Sequence, residues 1–90
     1  MAILRGGVGG VTDLVRVAVP TGVIDGANVT FTTPTAYVPN SLLVFLNGLA
    51  QTPGASNDYV ETSSTTFDFN VPPIVTGYGP DQILVYYQEV

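Results

Sequence analysis

The run Leu42-Leu43-Val44-Phe45-Leu46 most limits what this chain can fold into. Five consecutive apolar residues suit a strand and are too few for a stable helix. The run stops at Asn47-Gly48, the dipeptide best able to adopt the two positive φ angles of a type I′ hairpin turn. The chain is therefore expected to reverse there. Alternation puts Leu42, Val44 and Leu46 on one side of the strand and Leu43 and Phe45 on the other. A strand that is apolar on both faces needs cover on both. It belongs at the centre of a sandwich, or its outer face meets another subunit.

The flanking segments repeat the theme. Leu14 to Val19 alternates, with Val15, Val17 and Val19 on one face and Leu14, Arg16 and Ala18 on the other, and Pro20-Thr21-Gly22 ends it. Asp25-Gly26 marks a turn. Asn28 to Thr33 reads as a strand with Val29 and Phe31 inward and the threonines outward. Pro34, Pro39 and Asn40 bound the link to the apolar run, with Tyr37 and Val38 between them placed to cover an edge or an end of the core. After the hairpin, Pro53-Gly54 closes the returning strand, and Tyr59 to Thr62 forms the next one. Ser63-Ser64 then turns the chain into Thr65–Val71, with Phe67, Phe69 and Val71 on one face and Thr66, Asp68 and Asn70 on the other. Residues 74–81 are rich in Gly and Pro and read as a loop carrying Ile74, Val75 and Tyr78, a candidate contact surface. Ile83 to Tyr87 is a second continuous apolar strand, in which one of Tyr86 and Tyr87 faces the core and the other an interface. No window favours a helix. About seven short strands predict a small antiparallel β-sandwich over residues 14–90, with a small barrel as the alternative.

Residues 1–13 carry Gly6, Gly7, Gly9 and Gly10 and little to build a core, so they read as an extended arm. The glycines do not make a phosphate-binding loop, because the Lys-Ser/Thr that completes one is missing. Ile3, Leu4 and Val8 are the arm's candidate assembly contacts, able to dock on a neighbouring molecule.

Composition narrows the function. Charged residues are 10% of the 90, against about 25% in ordinary soluble domains, which makes a monomeric surface hard to keep soluble. Seven carboxylates oppose only Arg5 and Arg16, so a nucleic-acid backbone would be repelled. No apolar run approaches the ~20 residues that span a bilayer. The start reaches Gly6-Gly7 before a signal-peptide core could form, so the chain reads as made and used without secretion. With neither cysteine nor histidine there is no disulfide and no zinc site to stabilise a domain this small, which points to burial against other subunits.

The series Val19-Pro20-Thr21-Gly22, Asp25-Gly26, Thr30-Phe31, Val44-Phe45-Leu46-Asn47-Gly48, Asp58-Tyr59, Phe67-Asp68-Phe69 with Pro72-Pro73, and Asp81-Gln82-Ile83-Leu84-Val85-Tyr86-Tyr87 resembles a small β-sandwich module of tailed-bacteriophage virion proteins. Such modules occur in decoration and head-fibre, neck, baseplate and tail-fibre proteins. Similar modules often carry a charge where this chain has Ala50, and a shorter loop before the last strand. The resemblance implies a non-enzymatic structural role in a virion assembled in the host cytoplasm. Among those roles a capsid decoration or cement protein fits a stand-alone chain with an arm. Its expected partners are the major capsid protein or neck and tail subunits, together with copies of itself, a trimer being the usual symmetry of phage fibres and many decoration proteins. A tip that binds a receptor or carbohydrate is the alternative.

Catalysis finds little support. Histidine-dependent nucleophilic chemistry has no histidine, and although Asp58 and Asp68 could in principle face each other across strands, Asp25, Asp58 and Asp81 sit where aspartates cap turns. Calcium could use turn Asp and Asn oxygens, but no Asp-x-Asp spacing supports a site, and no cofactor or metal is expected. Tyr37, Tyr59 and Tyr78 could form a sugar-stacking surface, or fill the ends of the sandwich instead.

Overall fold

The computed structural model describes residues 15–90. The arm residues Ile3, Leu4 and Val8, together with Asp13 and Leu14, lie outside the described residues. The fold is a small antiparallel β-sandwich with nine strands among the described residues: β1 (Val15–Ala18), β2 (Thr30–Thr32), β3 (Leu43–Leu46), β4 (Leu49–Ala50), β5 (Tyr59–Glu61), β6 (Thr66–Phe69), β7 (Val75–Thr76), β8 (Gly79–Pro80) and β9 (Ile83–Gln88). One sheet has the order β1-β9-β3-β4, the other β2-β6-β5, and β7-β8 is a separate two-stranded ribbon. The two segments with apolar runs on both faces, β3 and the Ile83–Tyr87 part of β9, pair with each other at the centre of the four-stranded sheet, Val44 opposite Val85.

The two sheets contribute different side chains to the core. The four-stranded sheet supplies Val44, Ile83, Val85 and Tyr87, and the three-stranded sheet supplies Phe31, Tyr59, Phe67 and Phe69. Phe67 sits at the middle of the aromatic layer, 5.5 Å from Phe69 in an edge-to-face contact and 6.2 Å from Tyr59. Such pairs add about 0.5–1.5 kcal/mol beyond the area they bury. Gly22 is fixed by this layer, because a β-carbon there would come within 2.4 Å of the Phe31 ring.

Three buried tyrosines fasten the layers at one end. Tyr59 donates its hydroxyl to the Leu42 carbonyl at 2.7 Å, Tyr37 donates to the Thr66 carbonyl at 2.6 Å, and the Tyr87 hydroxyl shares a hydrogen bond with Thr35 Oγ1 at 2.8 Å. Burial, and secondarily the Glu61 carboxylate, pushes the Tyr37 phenol up to about 12 and raises Tyr59 as well, so both remain donors. Glu61 completes this end by accepting from the Asn40 amide at 2.8 Å and the Leu42 amide at 3.3 Å, which sets the entry to β3.

Four details differ from the sequence reading. Val71 was expected inward but is 75% exposed, because β6 ends at Phe69 and the alternation stops with it. Thr33 was expected outward but is buried, its hydroxyl donating to the Thr35 and Thr65 carbonyls. The 74–81 segment is a β-ribbon as well as a loop, and the returning strand β4 is only two residues long. Of the two uses open to the tyrosines, Tyr37 and Tyr59 take the filling one and are buried, while Tyr78 is fully exposed, so the three form no common stacking surface.

Tyr59→Phe keeps the ring but leaves the Leu42 carbonyl without its donor, and should cost about 1–3 kcal/mol in urea unfolding. Removing the half-exposed Tyr86 hydroxyl by Tyr86→Phe should change stability by less than about 0.5 kcal/mol.

Candidate interaction surface

The outer faces of the two sheets are chemically opposite. On the three-stranded sheet, alternation turns Thr30, Thr32, Val60, Thr66 and Asp68 outward, and the Thr30 hydroxyl donates to the Asp68 carboxylate at 2.8 Å. That face suits water. On the four-stranded sheet the outward positions are Val15 and Val17 of β1, Leu84, Tyr86 and Gln88 of β9, Leu43 and Phe45 of β3, and Ala50 of β4. None of them is charged.

This face is exposed. Val15 is 63% accessible, Leu43 56% and Tyr86 36%, and Val19 just beyond β1 is 69% accessible. Phe45 and Tyr86 pack edge to face at 5.5 Å, and a shallow groove of about 330 Å³ runs between Val19, Phe45, Leu84 and Tyr86. With ~100 Å² for a fully exposed valine or leucine and ~200 Å² for an aromatic ring, the exposed apolar surface here is roughly 400 Å². Patches of that size are the largest an ordinary monomer shows and are often functional.

β1 faces this way because of its register. Arg16 pairs with Tyr87 and Ala18 with Val85, and since Tyr87 and Val85 are core residues, their partners lie on the inner side and the valines on the outer. Ala18 packs against the core, while Arg16, nearer the rim, reaches Glu89 at 3.7 Å. Such a half-exposed ion pair is worth at most about 1 kcal/mol. The sequence reading left the two faces of Leu42–Leu46 either inside a sandwich or with one face against another subunit, and set one of Tyr86 and Tyr87 at an interface. Leu43 and Phe45 lie on the outer face of the sheet, and Tyr86 is the outward tyrosine. That reading singled out neither Leu84 nor the three valines as contacts, although their period-two spacing was visible.

The hairpin turn and the ribbon belong to one end of the sandwich. Leu46 pairs with Leu49 across Asn47-Gly48, whose φ angles are 52° and 83°. Asn47 accepts from the Gln82 amide at 2.8 Å and donates its side-chain amide to Asp81 at 3.0 Å, while the other Asp81 oxygen accepts from the Ile74 amide at 3.0 Å. The Asn47 amide and then the Ile74 N–H hold the Asp81 carboxyl below its ordinary value. This clamp fixes the base of the ribbon that presents Ile74, Val75 and Tyr78, all exposed.

The carboxylates act in turns and on a polar face. Asp25 accepts from the Ala27 and Asn28 amides at 2.9 and 2.8 Å, which lower its pKa, and Asp58 accepts from the Thr52 amide at 2.8 Å. Asp68 is engaged separately with Thr30. Among the described residues no three acidic, histidine or cysteine side chains cluster as metal ligands would. No protein-family model, curated protein or solved structure matches this chain.

The double substitution Val15→Thr with Leu43→Thr should leave the unfolding free energy within about 1 kcal/mol of the parent in dilute solution, and should reduce the binding of a hydrophobic-surface dye. A loss of several kcal/mol would place these side chains in the core instead.

Proposed function

We propose that this chain is a non-enzymatic structural subunit of a tailed-phage particle, most simply a capsid decoration or cement protein, that self-associates and docks on other virion proteins. The observation that carries the reading is the uncharged apolar face of the four-stranded sheet beside a polar, threonine-rich face on the other. A free protein in water has no use for such a surface, whereas a lattice subunit keeps it covered. The low charge of the whole chain and the resemblance to virion β-sandwich modules support the same reading. In it, the N-terminal arm with Ile3, Leu4 and Val8 adds a further contact to the coat. The neighbouring assignments to neck, baseplate or tail fibre use the same surfaces.

A second reading rests on Tyr78. Its ring is fully exposed at the tip of a ribbon whose base is clamped by Asp81, which is how a rigid recognition tip for a receptor or a carbohydrate would present an aromatic group.

Quantitative mass spectrometry of purified particles against the major coat protein separates these assignments. A copy number near one per coat subunit, or one per few, is expected for a cement protein. A handful of copies per particle moves the chain to the neck, baseplate or fibre, and absence from particles overturns the structural role.

A further inference from the structure

Among the described residues the two main sheets have four edges, and three of these are closed or very short. Along β2, Thr21 exchanges two main-chain hydrogen bonds with Thr32, at 2.8 and 2.9 Å. Along β5, the Pro53 segment bridges to Tyr59, the Gly54 amide donating to the Tyr59 carbonyl at 2.7 Å. The β4 edge is two residues long. The fourth edge, β1, has four residues, and no described residue pairs with its outer side.

Which groups β1 offers follows from the neighbouring bonds. The Gln82 and Gln88 carbonyls accept from the Asn47 and Val38 amides on the β3 side. Main-chain groups alternate along a strand, so those of Ile83, Val85 and Tyr87 point toward β1, where the register presents Ala18 to Val85 and Arg16 to Tyr87. The N–H and C=O groups of Val15 and Val17 therefore point away from the sheet. Edge strands in soluble proteins are usually protected by a lysine, a proline, a bulge or an inward-pointing charge. β1 carries no lysine, proline or bulge, and its one inward-pointing charge, Arg16, is offset by Glu89 at 3.7 Å, which leaves the edge weakly protected.

We propose that two copies of this chain pair antiparallel through their β1 edges, Val17 opposite Val17, to form one continuous eight-stranded sheet with a single apolar outer face. The inference rests on the assembly reading above and deepens it by naming a second copy as the first partner. Charge selects the register. A two-fold axis at Arg16 would set two guanidinium groups against each other, whereas an axis at Val17 sets Arg16 opposite Ala18 and Val15 opposite Val19. Six valines then form a cross-strand ladder on the outer face, and pairs of β-branched residues stabilise such ladders. Val19 can extend the pairing because the residue before a proline favours the extended conformation. Joining the two faces doubles the apolar surface to roughly 800 Å², about what each partner buries in a stable specific interface. The pair is thus a two-fold building unit, in place of the trimer that the resemblance implies, and presents to the particle a surface large enough to hold it.

The absence of cysteine makes the test direct, using the full chain. Val17→Cys should give a covalent dimer in high yield with a short bismaleimide. Val15→Cys should not, because the two copies of that residue lie roughly 13 Å apart along the strands. The unsubstituted chain should sediment as a dimer. Val17→Pro removes an N–H that bonds only the partner, and should sediment as a monomer with an unchanged circular dichroism spectrum. A parent chain that is monomeric at every concentration with neither cysteine cross-linking overturns the proposal, and so does cross-linking of Val15→Cys as efficient as that of Val17→Cys. A dimer that is absent from purified particles would sink the particle role and leave the pairing intact. A particle component that is monomeric in solution would do the reverse.

Discussion

A chain of this length has too little interior for two strands that are apolar on both faces. β3 and β9 are both of that kind, and they lie side by side at the centre of one sheet. Their inner side chains, Val44, Ile83, Val85 and Tyr87, build the core against a layer of phenylalanines. Their outer ones, Leu43, Phe45, Leu84 and Tyr86, have no second layer to meet among the described residues. With β1 added, three adjacent strands carry the same uncharged surface outward. Small domains bury only about 60% of the surface that their unfolded chains expose, so a neighbour covering this face would add burial that the described residues do not supply.

The rest of the fold serves to hold that face in place. Buried tyrosine hydroxyls tie the sheets to the connections at one end, and among the described residues no buried side-chain polar atom lacks a partner. At the other end Asn47 serves two purposes. Its tolerance of positive φ makes the turn, and its side chain fastens the start of β9 and, through Asp81, the ribbon base. The surface and the ribbon tip are therefore positioned by the same residue, although they present different chemistry: a broad aliphatic face and a single projecting phenol.

Much of this was legible in the residue order, and the exceptions have physical causes. The two faces of Leu42–Leu46 and the reversal at Asn47-Gly48 follow from alternation and turn chemistry, and the structure has both. Alternation does not say which side of a strand points inward. In β1 the more apolar side, Val15 and Val17, faces outward, because pairing with Tyr87 and Val85 carries Arg16 and Ala18 to the inner side. Thr33 could be buried only because two carbonyls from separate parts of the chain accept from its hydroxyl, which periodicity cannot reveal. The β7-β8 ribbon is held by main-chain pairing over two residues on each side, too short to leave a side-chain pattern. The apolar outer face was half visible, in Leu43, Phe45 and the paired tyrosines, while the valines that extend it looked like an ordinary half-buried strand.

The central claim is that the four-stranded sheet, and not the three-stranded one, is the side this protein hides when assembled. Hydroxyl-radical footprinting of the free chain and of the same chain in purified particles measures this residue by residue. The account predicts that oxidation of Leu43, Phe45 and Tyr86 falls sharply on assembly, while Val60 on the polar face keeps its reactivity. Equal labelling of Leu43 and Tyr86 in both states, or protection confined to the Val60 face, would contradict it.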